Sequence, residues 1–182
     1  MQKIPTIFER DWEGDRSRVL DKPHPDCAWV FAGEGIATRK LDGTCCMIRD
    51  GKLFRRRELK YGQPCPTGFE PSGTDEATGK TVGWIPVSDG PEDKWHREAF
   101  AALKYQKEGT YELIGPNFQG NPEKAGSNIL IPHANAMSYR DVPRTFDALK
   151  VWLNDLDIEG IVFHHPDGRM AKIKKRDFGL KR

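Results

Sequence analysis

The sequence predicts an α+β domain built mainly of antiparallel sheet. Two strong turn signals, each lying between strand-like runs, favour this class, because such turns join neighbouring antiparallel strands. Few segments show helical periodicity, so helices are expected to flank the sheets. The predicted hairpins are 44–49 with 52–57 around Asp50-Gly51, and 158–164 with 169–175 around Pro166-Asp167-Gly168.

Apolar spacing predicts two helices and two further strands. One helix covers about 93–107, and a second covers 146–156 behind Thr145 as its N-cap. Short apolar runs at 110–114 and 129–133 predict strands. Together with the hairpins, these elements complete an α+β architecture.

The length of 182 residues fits one domain over 1–182. Segment 62–92 is rich in Gly, Pro, Ser, Thr and Asp and is expected to be a surface excursion. Its GWIPV run at 83–87 predicts that part of this excursion packs or forms a strand.

Cysteine usage and apolar patterning predict a cytoplasmic protein. The start of the chain has no apolar signal region, and no run approaches a membrane span, so no membrane partner is expected. The cysteines form no CxxC pair, which favours thiols in a reducing compartment over a disulfide frame or a zinc site. The four cysteines are Cys27, Cys45, Cys46 and Cys65.

Positive charge is concentrated locally although the net charge is only +2. Segment 172–182 contains six basic residues and one acid, and Arg55-Arg56-Arg57 forms a second cluster. Phosphate-rich partners explain such clusters. The alternative is a solvated, solubilising tail.

Lys40 is the candidate nucleophile. It follows a strand-like stretch and precedes Asp42-Gly43, a turn pair. A lysine amine must lose its proton before it attacks a phosphate, and nearby cations with partial burial favour that neutral form. Lys172, Lys174 and Arg56 are the expected neighbours. The alternative is a surface lysine beside a turn.

Two carboxylates interrupt apolar strand runs: Glu112 in TYELIG and Glu159 in DIEGIV. A carboxylate in such a run is costly unless it is paired or faces a ligand or metal. One is predicted to bind a ribose hydroxyl and the other a divalent cation. The alternative for each is a glutamate on a solvent-facing strand.

Lys172 and Lys174 lie two residues apart on a predicted strand, so they share a face. A turn near 166–167 places Glu159 opposite Lys174 and Ile161 opposite Lys172. Similarly, a turn centred on 50–51 places Arg56 opposite Cys45, a few residues from Lys40. The two hairpins are expected to form two walls of one phosphate site, where lysines stabilise developing negative charge. An exposed cross-strand ion pair is the alternative.

In this order, these residues resemble the covalent nucleotidyltransferases, which include ATP-dependent DNA and RNA ligases and mRNA capping enzymes. Several longer strings resemble the vertebrate-type ATP-dependent 5′-to-3′ RNA ligase family, and the similarity covers most of the chain. The strings are QKIP, ATRKLDGTCC, GWIPV, ELIGPNFQGNP, LIPH, IEGIVFHHPDG and the closing FGL. The resemblance implies a nucleotidyltransferase (ATP-grasp-like) fold without an appended C-terminal domain.

The resemblance also implies residue roles. Lys40 is expected to become adenylated, Thr38 and Arg39 to lie beside the adenine, and Lys172 and Lys174 to contact the α-phosphate. Glu159 is expected to hold Mg²⁺ or Mn²⁺, with Asp42 organising the turn. Arg56 and Glu112 are expected to hold the ribose or the RNA phosphate. The family's adenine-stacking aromatic has no clear match, and His133 is the candidate. The implied cofactor-binding set is Thr38, Arg39, Asp42, Gly43, Arg56, Glu112, Glu159, Lys172 and Lys174.

The resulting hypothesis is a monomeric, ATP-dependent RNA ligase that joins RNA 5′-phosphate and 3′-hydroxyl ends through a lysyl-AMP intermediate. A DNA ligase or a GTP-using capping-type enzyme is one alternative. The other is a non-catalytic RNA-binding module, which predicts salt-dependent binding without covalent nucleotide.

Overall fold

The chain forms two compact units in a computed structural model that describes residues 3–75 and 78–182. The six-stranded unit comprises Lys3 and the segment Asp42–Asn135. The four-stranded unit comprises Ile4–Leu41 and Ala136–Arg182. The sequence-based assignment of one domain over 1–182 stays a prediction, since the two compact units do not test it.

The described secondary structure consists of antiparallel strands, three short α-helices and four 3-10 helices, as expected for an α+β class. The strands are β1 Phe8–Arg10, β2 Val19–Pro23, β3 Ile36–Lys40, β4 Thr44–Arg49, β5 Lys52–Leu59, β6 Glu70–Asp75, β7 Lys80–Pro86, β8 Gly109–Ile114, β9 Ile129–Pro132, β10 Ser138–Tyr139, β11 Gly160–His164 and β12 Met170–Lys174. The helices are α1 Ala28–Phe31, α2 Lys94–Ala101 and α3 Phe146–Asn154.

The six-stranded unit contains one antiparallel sheet in the order β6-β7-β5-β4-β8-β9. Its first predicted hairpin is confirmed: β4 and β5 pair from Cys46↔Arg55 to Arg49↔Lys52. Asp50 and Gly51 both adopt positive φ, which a two-residue turn of this kind requires. Apolar side chains from alternate positions of β4 and β8 pack with α2 to form the core of this unit.

The four-stranded unit contains a sheet in the order β10-β3-β11-β12 and a small sheet of β1 and β2. Alternate residues of the four-stranded sheet, such as Ala37, Ile161 and Ile173, are buried in its core beside α3. The intervening positions lie on the opposite face, and they include the predicted site residues Thr38, Lys40, Lys172 and Lys174.

Several predicted boundaries differ from the structure. Both helices are shorter than expected, since α2 ends at Ala101 and α3 at Asn154. Thr145 occupies the N-cap position of α3, but its side chain makes no capping hydrogen bond. Segment 62–92 contributes β6 and β7 to the sheet, with Trp84 buried.

The second hairpin is confirmed, but its predicted register was one residue out. Gly160, not Glu159, pairs with Lys174, and Val162, not Ile161, pairs with Lys172. The cause is the turn: His165 N–H donates to Arg169 O at 2.9 Å, which leaves three loop residues instead of two.

Among the described residues, no helix is both long enough and apolar enough to cross a membrane.

Candidate active site

Lys40 lies at the end of β3, on the face of the four-stranded sheet that is opposite the core. The pairing β3-β11-β12 aligns Lys40, Gly160 and Lys174 in one row across three strands. A Cβ on Gly160 would come within 2.2 Å of Ile173 O, so this central position requires glycine. The row therefore places one lysine on each side of a residue that has no side chain.

Glu159 lies immediately before β11, and its carboxylate joins both lysines of that row. Lys174 Nζ lies 3.1 Å from Glu159 Oε1, and Lys40 Nζ donates a hydrogen bond to Glu159 Oε2. The backbone carbonyl of Glu159 accepts from Lys175 N–H at 2.9 Å, which fixes the chain beside the carboxylate. The side chains of Lys40, Lys174 and Glu159 are 22%, 12% and 14% exposed, so the cluster is largely shielded from water.

Electrostatic effects in this cluster follow from burial and from the two ammonium groups. Burial by itself would raise the pKa of Glu159, but Lys40 and Lys174 outweigh it, and that pKa lies below its usual value. Burial lowers the pKa of Lys174, while the nearby carboxylate opposes the change. Glu159 is therefore a charged counter-ion in this structure rather than a proton donor.

The next rows of the same sheet face hold more predicted residues. Thr38, Val162 and Lys172 align across β3, β11 and β12, so Lys172 and Lys174 share a face as predicted. Thr38 Oγ1 lies 3.0 Å from His164 Nε2, a contact that sequence reasoning did not identify. Arg39 alternates to the other face of β3.

Glu112 lies in the six-stranded unit, on β8, where it is 7% exposed. One carboxylate oxygen, Oε1, accepts from Gly43 N–H at 3.1 Å. The other, Oε2, lies 2.9 Å from His133 Nε2. Gly43 has no room for a side chain, because a Cβ would come within 2.3 Å of Leu113 O. Hydrogen-bonding groups therefore hold both oxygens of this carboxylate.

His133 follows β9 at the start of a 3-10 helix, so the strand expected to reach 133 ends one residue earlier. Its Nδ1 lies 3.0 Å from Thr110 Oγ1. Cys45 pairs directly with Glu112 across β4 and β8. The sulfur, carboxylate and imidazole ligand atoms of Cys45, Glu112 and His133 lie within 4.8 Å of one another. A role for His133 in stacking on adenine stays a prediction.

The remaining predicted residues also belong to the six-stranded unit. Asp42 N–H donates to Glu123 Oε1 at 3.0 Å. The β4-β5 register, continued by one pair, places Arg56 opposite Cys45, as predicted. That register puts Arg56 on the same sheet face as Glu112. The arrangement of the two hairpins as two walls of one phosphate site stays a prediction.

The basic segment 172–182 is part of the fold rather than a solvated tail. Lys175 is 5% exposed, and its Nζ donates to Asn154 O at 3.2 Å. Asp177 is fully buried and pairs with Arg10 at 2.8 Å. Lys172 and Lys174 thus remain as the basic residues of this segment that lie on the sheet face with Lys40.

Sequence patterns could not identify two contacts in these clusters. One is the contact between Thr38 and His164, which are 126 residues apart in the chain. The group of Cys45, Glu112 and His133 depends on the pairing of β4, β8 and β9. Glu112 and His133 both lie in predicted strands, which was the available signal for this group. The sequence does not specify which strands pair.

Two lysines that share a largely shielded carboxylate form a centre suited to binding negatively charged groups. A family model described as RNA ligase 1 matches residues 92–182 of the chain. The RNA ligase 1 of Danio rerio is 37% identical in an alignment that covers 99% of this chain and 81% of that protein. The RNA ligase 1 proteins of Mus musculus and Pongo abelii are each 26% identical over 80% of this chain and 67% of their own lengths. The chain belongs to the RNA ligase 1 family.

Proposed function

We propose that the chain is an ATP-dependent RNA ligase that acts through a lysyl-AMP intermediate, with Lys40 as the nucleophile. The observation that carries this proposal is the cluster of Lys40, Glu159 and Lys174 on one face of the four-stranded sheet. It combines an amine, a hard carboxylate ligand and a second cation. The relationship to RNA ligase 1 proteins supports RNA ends as the acceptor.

In the first step, Lys40 Nζ attacks the α-phosphorus of ATP. A phosphorus–nitrogen bond forms, the bond to the bridging oxygen breaks, and pyrophosphate leaves as the amine gives up a proton. Lys174 and Lys172, on the same sheet face, are assigned to the α-phosphate oxygens, where fixed positive charge stabilises the transition state. Thr38, held by His164, is assigned to the adenine side of the nucleotide.

Two transfers follow. An oxygen of the RNA 5′-phosphate attacks the AMP phosphorus, which breaks the bond to Lys40 and returns the amine. The RNA 3′-hydroxyl then attacks the activated 5′-phosphate, a phosphodiester forms, and AMP leaves. Glu112 and Arg56 are assigned to the ribose or to an RNA phosphate.

Lys40 in this structure donates a hydrogen bond to Glu159 and forms an ion pair with it. The attack therefore requires the ion pair to separate. The carboxylate of Glu159 fits Mg²⁺ or Mn²⁺, which prefer oxygen ligands. Glu159 would hold this ion, which would supply positive charge to the phosphates of ATP.

The test is covalent labelling with ATP radiolabelled in its α-phosphate, in the presence of Mg²⁺, followed by denaturing electrophoresis. The wild-type band should carry label that survives alkali and is released by acid, as a phosphorus–nitrogen bond is. Lys40→Ala should carry none. Lys22→Ala is the matched control, because Lys22 forms an exposed ion pair with Glu9 in the same unit.

Full labelling of a folded Lys40→Ala protein would refute the proposed nucleophile. Parallel reactions with labelled GTP distinguish a capping-type enzyme, which would prefer GTP. Supplying RNA or DNA with 5′-phosphate ends to the labelled protein then identifies the acceptor. RNA binding without any covalent label would favour the non-catalytic alternative.

A further inference from the structure

We propose that Cys45, Glu112 and His133 form a binding site for a thiophilic divalent cation, with Zn²⁺ as the preferred ion. This site does not use Glu159, the carboxylate assigned to Mg²⁺, but it shares Glu112 with the proposed function, so a bound cation and a bound ribose or RNA phosphate would compete for that carboxylate. It lies entirely within the six-stranded unit. Its test reads metal binding directly, so its outcome is independent of whether the chain is a ligase.

Adjacent strands bring the three side chains together. Cys45 on β4 and Glu112 on β8 are direct cross-strand partners, and β8 pairs in turn with β9, which ends one residue before His133. All pairs of potential ligand atoms lie within 4.8 Å. Tetrahedral Zn²⁺ with ordinary bond lengths separates its ligand atoms by about 3.3–3.8 Å. The observed upper limit of 4.8 Å includes these separations.

The donor set determines which cation fits. A thiolate sulfur, a carboxylate oxygen and an imidazole nitrogen are all Zn²⁺ ligands. Mg²⁺ and Ca²⁺ instead prefer oxygen ligands alone. Three protein ligands also leave the fourth position of a tetrahedral site for water or an anion. The six-stranded unit is therefore expected to bind Zn²⁺ or Co²⁺ and to discriminate against Mg²⁺.

Residues that ligate a metal usually make further hydrogen bonds that orient them, and two of the three proposed ligands have such partners. Thr110 Oγ1 lies 3.0 Å from Nδ1 of His133, which leaves Nε2 directed at Glu112. Gly43 N–H holds the remaining oxygen of Glu112 at 3.1 Å. Such contacts fix ligand orientation before metal binds and are worth about 10–100-fold in affinity. In the metal-bound state, the cation replaces the hydrogen bond between Glu112 and His133.

The experiment is a titration of the full chain with Co²⁺, followed by absorption spectroscopy. The wild type should develop a thiolate-to-cobalt charge-transfer band and intense tetrahedral d–d bands that saturate at one ion per chain, and Zn²⁺ should abolish both. Cys45→Ser should lose the charge-transfer band. His133→Gln should weaken binding at least about tenfold, since it removes one of three ligands.

Cys65→Ser is the matched control, because Cys65 is an exposed cysteine of the same unit. It should keep the complete wild-type spectrum. Circular dichroism of each variant establishes that the fold is retained. A wild type without a charge-transfer band, or a Cys45→Ser spectrum equal to that of wild type, would overturn the proposal and leave the three residues as a hydrogen-bonded cluster.

Discussion

The two units each contain a glutamate of very low exposure, but the partners of the two carboxylates differ. Glu159 lies between two ammonium groups, whereas Glu112 is held by a backbone N–H and an imidazole. The first arrangement balances charge, and the second fixes the direction of a hydrogen-bond acceptor. The partners, rather than the residue type, therefore determine which chemistry each glutamate can support.

This difference predicts unequal effects of the same substitution. Replacing Glu159 by glutamine removes a charge that two lysines share, while the corresponding change at Glu112 keeps one acceptor oxygen. Breaking a buried ion pair leaves uncompensated charge, which costs more than the loss of one neutral hydrogen bond. Both substitutions preserve side-chain volume, so packing is not the variable.

The largest effect is expected for Glu159→Gln. Loss of the carboxylate removes the group assigned to the divalent cation and leaves both ammonium groups without their counter-ion. The rate of lysyl-AMP formation should fall by about 10²–10³-fold, a typical result of removing one electrostatic catalytic group. Single-turnover labelling with ATP measures this rate. Near-normal labelling would show that Glu159 is a structural counter-ion without a catalytic role.

Glu112→Gln should have a smaller effect, of about tenfold on kcat/KM for labelling. A ribose hydroxyl that donates to a charged acceptor contributes on the order of 1.5 kcal/mol more than it does with a neutral one. The loss should appear mainly in KM for ATP, since the contact forms in the ground state. An unchanged KM would show that Glu112 does not contact the nucleotide. The proposed metal site would then be the remaining role for this residue.

The ion pairs of Glu159 should also make stability depend on acid. The pKa of Glu159 in the folded chain lies below the ordinary value of 4.5, so its ion pairs stabilise the fold above that pH. The contribution decreases as the pH falls through the lowered pKa. Wild type should therefore lose stability relative to Glu159→Gln in this range.

Urea unfolding from about pH 6 to about pH 3 measures this difference. Glu112→Gln, analysed in parallel, separates the effect of Glu159 from the general protonation of carboxylates. A gap between wild type and Glu159→Gln that stays constant through this range would contradict the assigned ion pairs.

Local signals in the sequence predicted much of the fold. The Asp50-Gly51 turn fixed both the β4-β5 hairpin and its register, because a two-residue loop permits one alignment. Pro166-Asp167-Gly168 predicted a second hairpin, but the three-residue loop shifted its register by one. That shift did not remove the contact between Glu159 and Lys174, because long side chains reach diagonal neighbours.

Contacts between strands that are far apart in the chain could not be predicted from the sequence. Lys40 and Glu159 were both identified as candidates, but their direct contact depends on β3 pairing with β11. The absence of a CxxC pair favoured free thiols over a zinc site, whereas the ligand group with Cys45 combines residues of β4 and β8 with His133, which follows β9. Periodicity identifies which face a residue occupies, but not which strand lies beside it.

The smallest predicted difference concerns a pair of equivalent contacts, one in each unit. Thr38 Oγ1 and Thr110 Oγ1 each lie 3.0 Å from a histidine ring nitrogen. Thr38→Val should raise KM for ATP about threefold, since Thr38 is assigned to the adenine side and loses a hydrogen bond worth under about 1 kcal/mol.

Thr110→Val should change that KM by less than about twofold, because Thr110 acts on Glu112 only through the ring of His133. The same substitution in both units keeps side-chain size constant, and initial rates of labelling at several ATP concentrations give both KM values. If Thr110→Val had the larger effect, orientation of Glu112 through His133 would matter more for nucleotide binding than the Thr38 hydroxyl. The hydrogen-bonded carboxylate, rather than the ion-paired one, would then control ATP affinity.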